Sequence, residues 1–230
     1  MQRASWSRLN QIGLSGALVS TILNFQVRRL HAYSQHLGAG GKGGAEMTFA
    51  VDRDAAIAFT KASIHTPSIK KFLTVSYLSS RRGRAPWWND EDWKAAQKVN
   101  TEILPKYFKA KVAADEVLTV LSQDRVANEE KDGVPANERF CGISLRPGTL
   151  TEEPAGKVKM GKIGAGGKTS RATVAESVVS VLETEGVRGW VDVIDGDEGI
   201  EEAVEKYVKE GQAAVEGEDM GAMRERADKL

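Results

Sequence analysis

Cysteine is almost missing from this chain of 230 residues. Cys141 stands alone, which excludes an internal disulfide and any thiolate-rich metal centre. Histidine is scarce too, and His31, His36 and His65 show none of the paired spacings that hold zinc, so no metal is expected. Neither sign of charge is in excess, because 32 Lys and Arg balance 32 Asp and Glu. A chain without a basic surplus is not expected to bind nucleic acid. The longest apolar run, Ile12 to Phe25, is interrupted by Gly13, Ser15, Gly16, Ser20, Thr21 and Asn24. It falls short of the roughly 18 residues of a membrane helix, so no membrane partner is expected. What remains is the composition of a globular protein, 41% hydrophobic and 28% charged with 23 glycines, enough for one large α/β domain with an irregular end.

Acid is absent from one end of the chain. Met1 to Ala45 contains no Asp or Glu but carries Arg3, Arg8, Arg28, Arg29 and Lys42. An acid-free start of this kind can be drawn as an amphipathic transit helix, which makes the mitochondrion the alternative to a cytoplasmic location; it can equally be a short surface helix or a tail. The other end is acidic, with twelve Asp or Glu against five Lys or Arg from Asp195 to Leu230. Its stretch after Tyr207 reads as a solvated helix that frays into a tail.

Between these ends, strands and helices take turns. Glu46 to His65 has helical periodicity and stops at Thr66-Pro67-Ser68. Lys71 to Tyr77 (KFLTVSY) is β-branched and aromatic and runs into a serine- and arginine-rich loop. Asp90 to Leu104 reads as a helix capped by Asn89 or Asp90. Pro105 opens a longer helix, to about Gln123, with an apolar stripe of Val112, Ala113, Val117, Val120 and Leu121. Asn128 to Glu138 reads as a loop, Phe140 to Leu145 as a strand, Ser170 to Thr184 as a capped helix, Gly189 to Ile194 as a strand and Gly199 to Lys209 as a helix. Strands separated by ten or more residues of helix imply crossovers and a parallel sheet.

Tyr107 and Lys111 form a YxxxK on the long helix, and a spacing of four places phenol and ammonium on one face. A neighbouring ammonium favours phenolate and would pull the tyrosine pKa down from about 10, making Tyr107 a general acid or base for a carbonyl or hydroxyl. The strand ending at Tyr77 delivers Ser76, Ser79 and Ser80 to the carboxyl edge, where open α/β sheets hold ligands; turn serines bonding the local backbone would look the same. Gly38, Gly40 and Gly43 satisfy GxGxxG, a pattern that suits a pyrophosphate at a helix start. That pattern demands a preceding strand, and His31 to His36 is too polar for a buried parallel one. The second glycine run, GKIGAGGKTS at 161–170, fails as a P-loop because the first glycine of the motif would fall on Lys162. Arg81, Arg82 and Arg84 with Trp87 and Trp88 read either as a contact for an acidic or aromatic ligand or as a solvated loop.

Taken together and in this order, GAGGKGG (38–44), AVDRDAAIAF (50–59), KKFLTVSYLSSRRGRAPWW (70–88), YFKAK (107–111), ISLRPGTLTEEP (143–154), GKTSRATVAESV (167–178) and RGWVDVIDGDEGIEEAV (188–204) resemble the atypical short-chain dehydrogenase/reductases, in their NAD-dependent epimerase/dehydratase-like branch. The resemblance covers about three quarters of the chain. It implies Tyr107 and Lys111 as the catalytic pair, with Ser76 or Ser79 as the upstream hydroxyl and Asp52 where many relatives carry an active-site asparagine. It further implies NAD or NADP as cofactor, with Gly38, Ala39, Gly40, Lys111, Pro147 and Gly148 facing its ribose and nicotinamide, and a small-molecule carbonyl or hydroxyl as substrate. Members of the family begin with a strand and a GxxGxxG turn, followed by several βα units. Three such units need on the order of ninety residues, whereas thirty-seven residues precede Gly38. The expectation is therefore an incomplete Rossmann-like parallel sheet flanked by helices. Its parts would be a divergent segment 1–37, a nucleotide-binding domain 38–210 lacking its first βα units, and an acidic tail 211–230. Weakened cofactor binding follows from that picture, and for the open sheet edge a homodimer, an N-terminal helix lying over the gap, or instability; a non-catalytic family member is the alternative to an active oxidoreductase or epimerase.

Overall fold

Side chains that alternate between two chemistries fix how the central strands sit. In the computed structural model, which describes residues 26–27, 30–35 and 44–230, β3 (Lys71–Val75), β4 (Cys141–Pro147) and β8 (Gly189–Asp195) are almost wholly buried. Leu73, Cys141, Ile143, Leu145, Val191 and Val193 share one apolar cluster with Val174, Val178 and Val181 of α5 (Arg171–Glu183) and with Val204 and Tyr207 of α6 (Ile200–Glu210). The intervening positions Gly142, Ser144, Arg146 and Asp192 turn to the opposite face. One sheet thus has one apolar face and one polar face, both covered.

The polar face is covered by α4 (Pro105–Lys131), a 27-residue helix. Its Val117 and Val120 pack with Ile57 of α2 (Ala56–Ile64), Met223 of α7 (Met220–Ala227) and Trp190 of β8, while Lys111, Asp115, Leu118 and Ser122 face the strands. Ser122 lies directly over Gly142, where a Cβ would stand 1.9 Å from its hydroxyl oxygen, so this close approach requires glycine.

The sheet runs β1 (Gln26–Val27), β2 (Leu30–Gln35), β3, β4, β8, β6 (Val158–Met160), and the ladders from β2 to β8 are all parallel. The chain is thus mixed α/β with a mostly parallel sheet flanked by helices. Crossovers are made by α1 (Gly44–Thr48), a π-helical stretch Phe49–Ala55 and α2 between β2 and β3; by α3 (Asp90–Lys98), a second π stretch Val99–Ile103 and α4 between β3 and β4; and by α5 before β8. A pair of short parallel strands, β5 (Thr149–Thr151) and β7 (Lys168–Ser170), follows β4. The second glycine run is thereby the lead-in to a strand.

Several expectations are corrected. His31 to His36 was expected to be too polar for a parallel strand, yet Leu30–Gln35 pairs in parallel with β3 in the register Ala32 with Lys71 through Gln35 with Thr74. Ladder hydrogen bonds come from the backbone, and only the side-chain environment selects for apolarity. The long helix continues to Lys131 through the segment expected as a loop. The acidic end is not a solvated tail: Ala214 and Met223 are fully buried, the Ala214 amide donates to the Trp190 carbonyl at 2.9 Å, and Arg224 and Arg226 bind Asp124 and Glu116 of α4. No helix among the described residues is long and apolar enough to cross a membrane. The expected N-terminal helix and the glycines Gly38, Ala39 and Gly40 lie outside the described residues.

Candidate active site

Pro105 opens α4, its missing N–H costing nothing in the first turn. Tyr107, Lys111 and Asp115 then follow at four-residue spacing in one row. That row meets the carboxyl end of β3. The Lys111 ammonium is buried, donates to the Val75 carbonyl at 2.7 Å, and lies 3.8 Å from an oxygen of the fully buried Asp52. Asp52 comes from the π-helical stretch between α1 and α2, a local widening that is frequent at functional sites. Tyr107 sits beside this pair, with its ring centroid 5.9 Å from the Lys111 nitrogen and 5.2 Å from the ring of Tyr77 in the serine loop. Tyr107, Lys111, Asp52 and the serine loop therefore share one edge of the sheet.

The electrostatics of Tyr107 run opposite to the expectation from spacing. Burial first, then the carboxylates of Asp52 and Asp115, push the phenol well above its ordinary value. The Lys111 charge is aimed at Val75 and Asp52 and does not offset them. The Tyr107 phenol is therefore protonated at neutral pH.

Ser76 is at this edge, but its hydroxyl is committed. It donates to Asp115 Oδ2 at 2.5 Å, beside the Ser80 hydroxyl at 2.6 Å, while the Ser144 hydroxyl donates to Oδ1 at 2.8 Å. One buried carboxylate thus ties the loop after β3, and β4 itself, to α4. Ser79 is buried and contributes its carbonyl, which accepts from the Asn100 amide at 2.8 Å; Asn100 in turn accepts from the Tyr77 hydroxyl at 2.7 Å. Behind Asp115 lies a second ionic layer. Arg146 and Asp192, both fully buried, pair at 2.8 Å. The guanidinium also donates to the carbonyls of Leu78 and Ser80 and stacks 4.0 Å over Trp190. Burial raises the Asp192 pKa to about 6, against the opposing pull of Arg146 and Arg81.

Pro147 and Gly148 end β4 at the same edge, yet protein packing accounts for the glycine. A Cβ there would stand 2.6 Å from the Gly167 carbonyl, and the Pro147 carbonyl already accepts from Leu78. The arginine–tryptophan loop is solvated at Arg82 and Arg84 but anchored at Arg81 and Trp88, which are buried. Arg81 is fully buried and donates to the carbonyls of Gly83, Ala214 and Glu216, and Trp87 and Trp88 both donate to the Ile163 carbonyl at 2.8 Å. It clamps the chain's end and the 161–167 loop onto the domain.

Sequence reasoning missed Asp115, Ser144, Arg146, Asp192 and Asn100. A signal existed for two of them: Asp115 extends the four-residue row one turn past Lys111, and Asp192 is a charge inside an otherwise apolar strand, which buried positions admit only when partnered.

A nicotinamide nucleotide fits these groups in two respects. An ammonium carries three N–H donors, and at Lys111 the Val75 carbonyl takes one, with the Asp52 carboxylate in ion-pair contact at 3.8 Å. The buried hydroxyls of Thr151 and Thr169, on the strand pair after Gly148, make no hydrogen bond among the described residues.

No protein-family model matches the chain. Among curated proteins it is similar to UPF0659 protein C216.03 of Schizosaccharomyces pombe, 30% identical over 182 residues that span 77% of this chain and 67% of that protein. Among solved structures it is similar to the oxidoreductase ylbE of Lactococcus lactis, with a TM-score of 0.49 and 22% identity, covering 75% of this chain and 65% of that one. It is also similar to chuY of E. coli CFT073, with a TM-score of 0.38 and 15% identity over 67% of this chain and 79% of that one. The chain thus spans slightly less than two thirds of the ylbE structure's length.

Proposed function

The chain belongs to the UPF0659 family, and from its carboxyl edge we propose an NAD(P)-dependent oxidoreductase that reduces a small-molecule carbonyl through Tyr107. The supporting observation is the row on α4: Tyr107 one turn from a buried Lys111, whose ammonium is fixed between the Val75 carbonyl and Asp52 at the end of β3. The Lys111 ammonium has N–H capacity beyond its bond to the Val75 carbonyl, and this is available to a ribose hydroxyl. The reduced nicotinamide supplies the hydride when bound.

Tyr107 supplies the proton. With its pKa held up, the phenol is protonated and donates to the substrate oxygen; as negative charge grows on that oxygen the phenolic O–H breaks and a new O–H forms. The raised pKa favours this reducing direction over the reverse, in which Tyr107 would act as a base. Asp115 keeps the Ser76 hydrogen turned inwards, so the lone pairs of Ser76 rather than its O–H are left for the pocket.

The test is titration of the purified protein with NADPH and NADH by calorimetry, followed by turnover of simple aldehydes and ketones. Saturable binding is expected. Tyr107→Phe should retain binding and lose about a hundredfold or more in turnover, the usual contribution of a positioned proton donor. Absence of cofactor binding at millimolar concentration defeats the proposal and leaves the non-catalytic reading, which the commitment of Ser76 to Asp115 favours.

A further inference from the structure

The far half of α4 encloses a second feature. Beyond Lys111 the helix passes over the amino ends of β4 and β8, where the small side chains of Gly142 and Ser144 leave a cavity of about 300 Å³. Leu118, Val126, Phe140 and Trp190 form its apolar walls. It lies at the opposite sheet edge from Tyr107, and the eleven residues from Tyr107 to Leu118 correspond to about 16 Å along the helix axis. It shares with the groups described at the active site Ser144, whose hydroxyl is turned to Asp115, and Trp190, which Arg146 stacks over.

Two polar groups make this more than a packing gap. Ser122 is more than nine-tenths buried, lines the cavity, and its hydroxyl makes no hydrogen bond among the described residues. A buried hydroxyl without a partner costs about 1–3 kcal/mol, which a ligand oxygen would relieve. Arg188 also lines the cavity. Its guanidinium meets the uncharged Cys141 thiol and, at a long 3.4 Å, the Ala136 carbonyl, and has no carboxylate within ion-pair distance among the described residues. The other charged residue of the lining, Glu130, is already engaged by Arg139 at 3.1 Å. The cavity therefore offers an apolar body, one buried hydroxyl and one unmatched positive charge.

We propose that this cavity binds a small apolar carboxylate, its tail among Leu118, Val126, Phe140 and Trp190 and its carboxylate against Arg188. At the packing density of an organic liquid the volume holds roughly ten non-hydrogen atoms, the size of octanoate.

The test is calorimetric titration of the full chain with sodium octanoate and, separately, with 1-octanol. Octanoate is expected to bind saturably below millimolar concentration. Arg188→Met, at a half-buried position, should weaken octanoate by about tenfold or more while leaving octanol unchanged. Ala127→Trp places an indole at an exposed position of the lining and should abolish binding of both. If that variant does not fold, the Arg188→Met comparison still decides. Absence of saturable octanoate binding overturns the site, as does binding insensitive to both substitutions. Binding of octanol with equal or higher affinity than octanoate overturns the carboxylate class.

Discussion

Replacing Asp115 tests whether a single carboxylate organises the polar face of the sheet. Asp115 is 2% exposed and accepts from Ser76, Ser80 and Ser144, which are themselves 4%, 0% and 1% exposed. Hydrogen bonds to a charged acceptor contribute about 1.5–3 kcal/mol each, so three amount to about 5–9 kcal/mol before the cost of burying the charge is subtracted. That desolvation is several kcal/mol. Asp115→Ala removes both and leaves three buried hydroxyls without an acceptor, for a net loss of about 3–5 kcal/mol, a large part of a typical domain's stability. Asp115→Asn behaves differently. Its carbonyl oxygen can still accept from Ser76 and Ser80, and its amide can donate to the Ser144 oxygen, so the loss should be about 1–2 kcal/mol. Urea unfolding followed by tryptophan fluorescence measures both, with m unchanged if the native contacts elsewhere persist. The same substitution removes one of the carboxylates that raise Tyr107, so Asp115→Asn should shift the phenol's ultraviolet titration to lower pH. An Asp115→Ala loss below about 1 kcal/mol, or one smaller than that of Asp115→Asn, refutes the reasoning.

Other expected outcomes concern the packing of the chain's end and the second ionic layer. Met223 is fully buried among Val117, Val120 and Ala227, so Met223→Ala should cost about 2–4 kcal/mol in the same urea assay, and a loss below about 0.5 kcal/mol would mean that 211–230 does not pack. Asp192 has a folded pKa of about 6 against 3.8 for the ordinary group. The folded state therefore binds the proton more tightly, and the contribution of Asp192 to stability is greatest below pH 4. It should fall by on the order of 3 kcal/mol as pH rises from about 4 to about 6, then stay flat. Asp192→Asn cannot titrate. Subtracting its stability–pH curve from that of the wild type should isolate this fall above a constant offset from the unpaired Arg146, and a difference curve without slope rejects it.

What could be read from the sequence was the part that repeats. β3, β4 and β8 were placed within about two residues because each is a short run of β-branched, aromatic and aliphatic residues bounded by turn residues. Crossover helices followed from the spacing between strands. The row Tyr107 and Lys111 was legible for the same reason, since four-residue spacing on a helix is geometry. Its electrostatics were not, because the direction of the Tyr107 shift depends on Asp52 and Asp115, carboxylates that only the fold brings near. The acidic end was misread for want of a periodic apolar face: α7 is anchored by Met223 and Ala227 and by Arg224 and Arg226, whose partners Asp124 and Glu116 lie about a hundred residues earlier. Pairings at that separation leave no local trace.

α4 is enclosed on more than one side, its Val117 and Val120 packing with α2, α7 and Trp190 of β8. Towards the strands it presents Lys111, Asp115 and Ser122, against Ser144, Arg146 and Asp192. Burying charged groups there, when apolar residues of similar volume would be at least as stabilising, is a cost the opposite face largely avoids with valine, leucine and isoleucine, Lys71 with its ammonium on the Leu182 and Thr184 carbonyls being its buried charge. The two faces belong to one sheet with the same strands, so strand propensity cannot explain the difference. Charge is concentrated on the one face whose carboxyl edge also holds Tyr107 and Lys111, and perturbed ionisable groups gather where chemistry needs them. On that reasoning, replacing the Arg146–Asp192 pair by well-packed apolar residues would preserve or raise stability while removing whatever activity the edge supports.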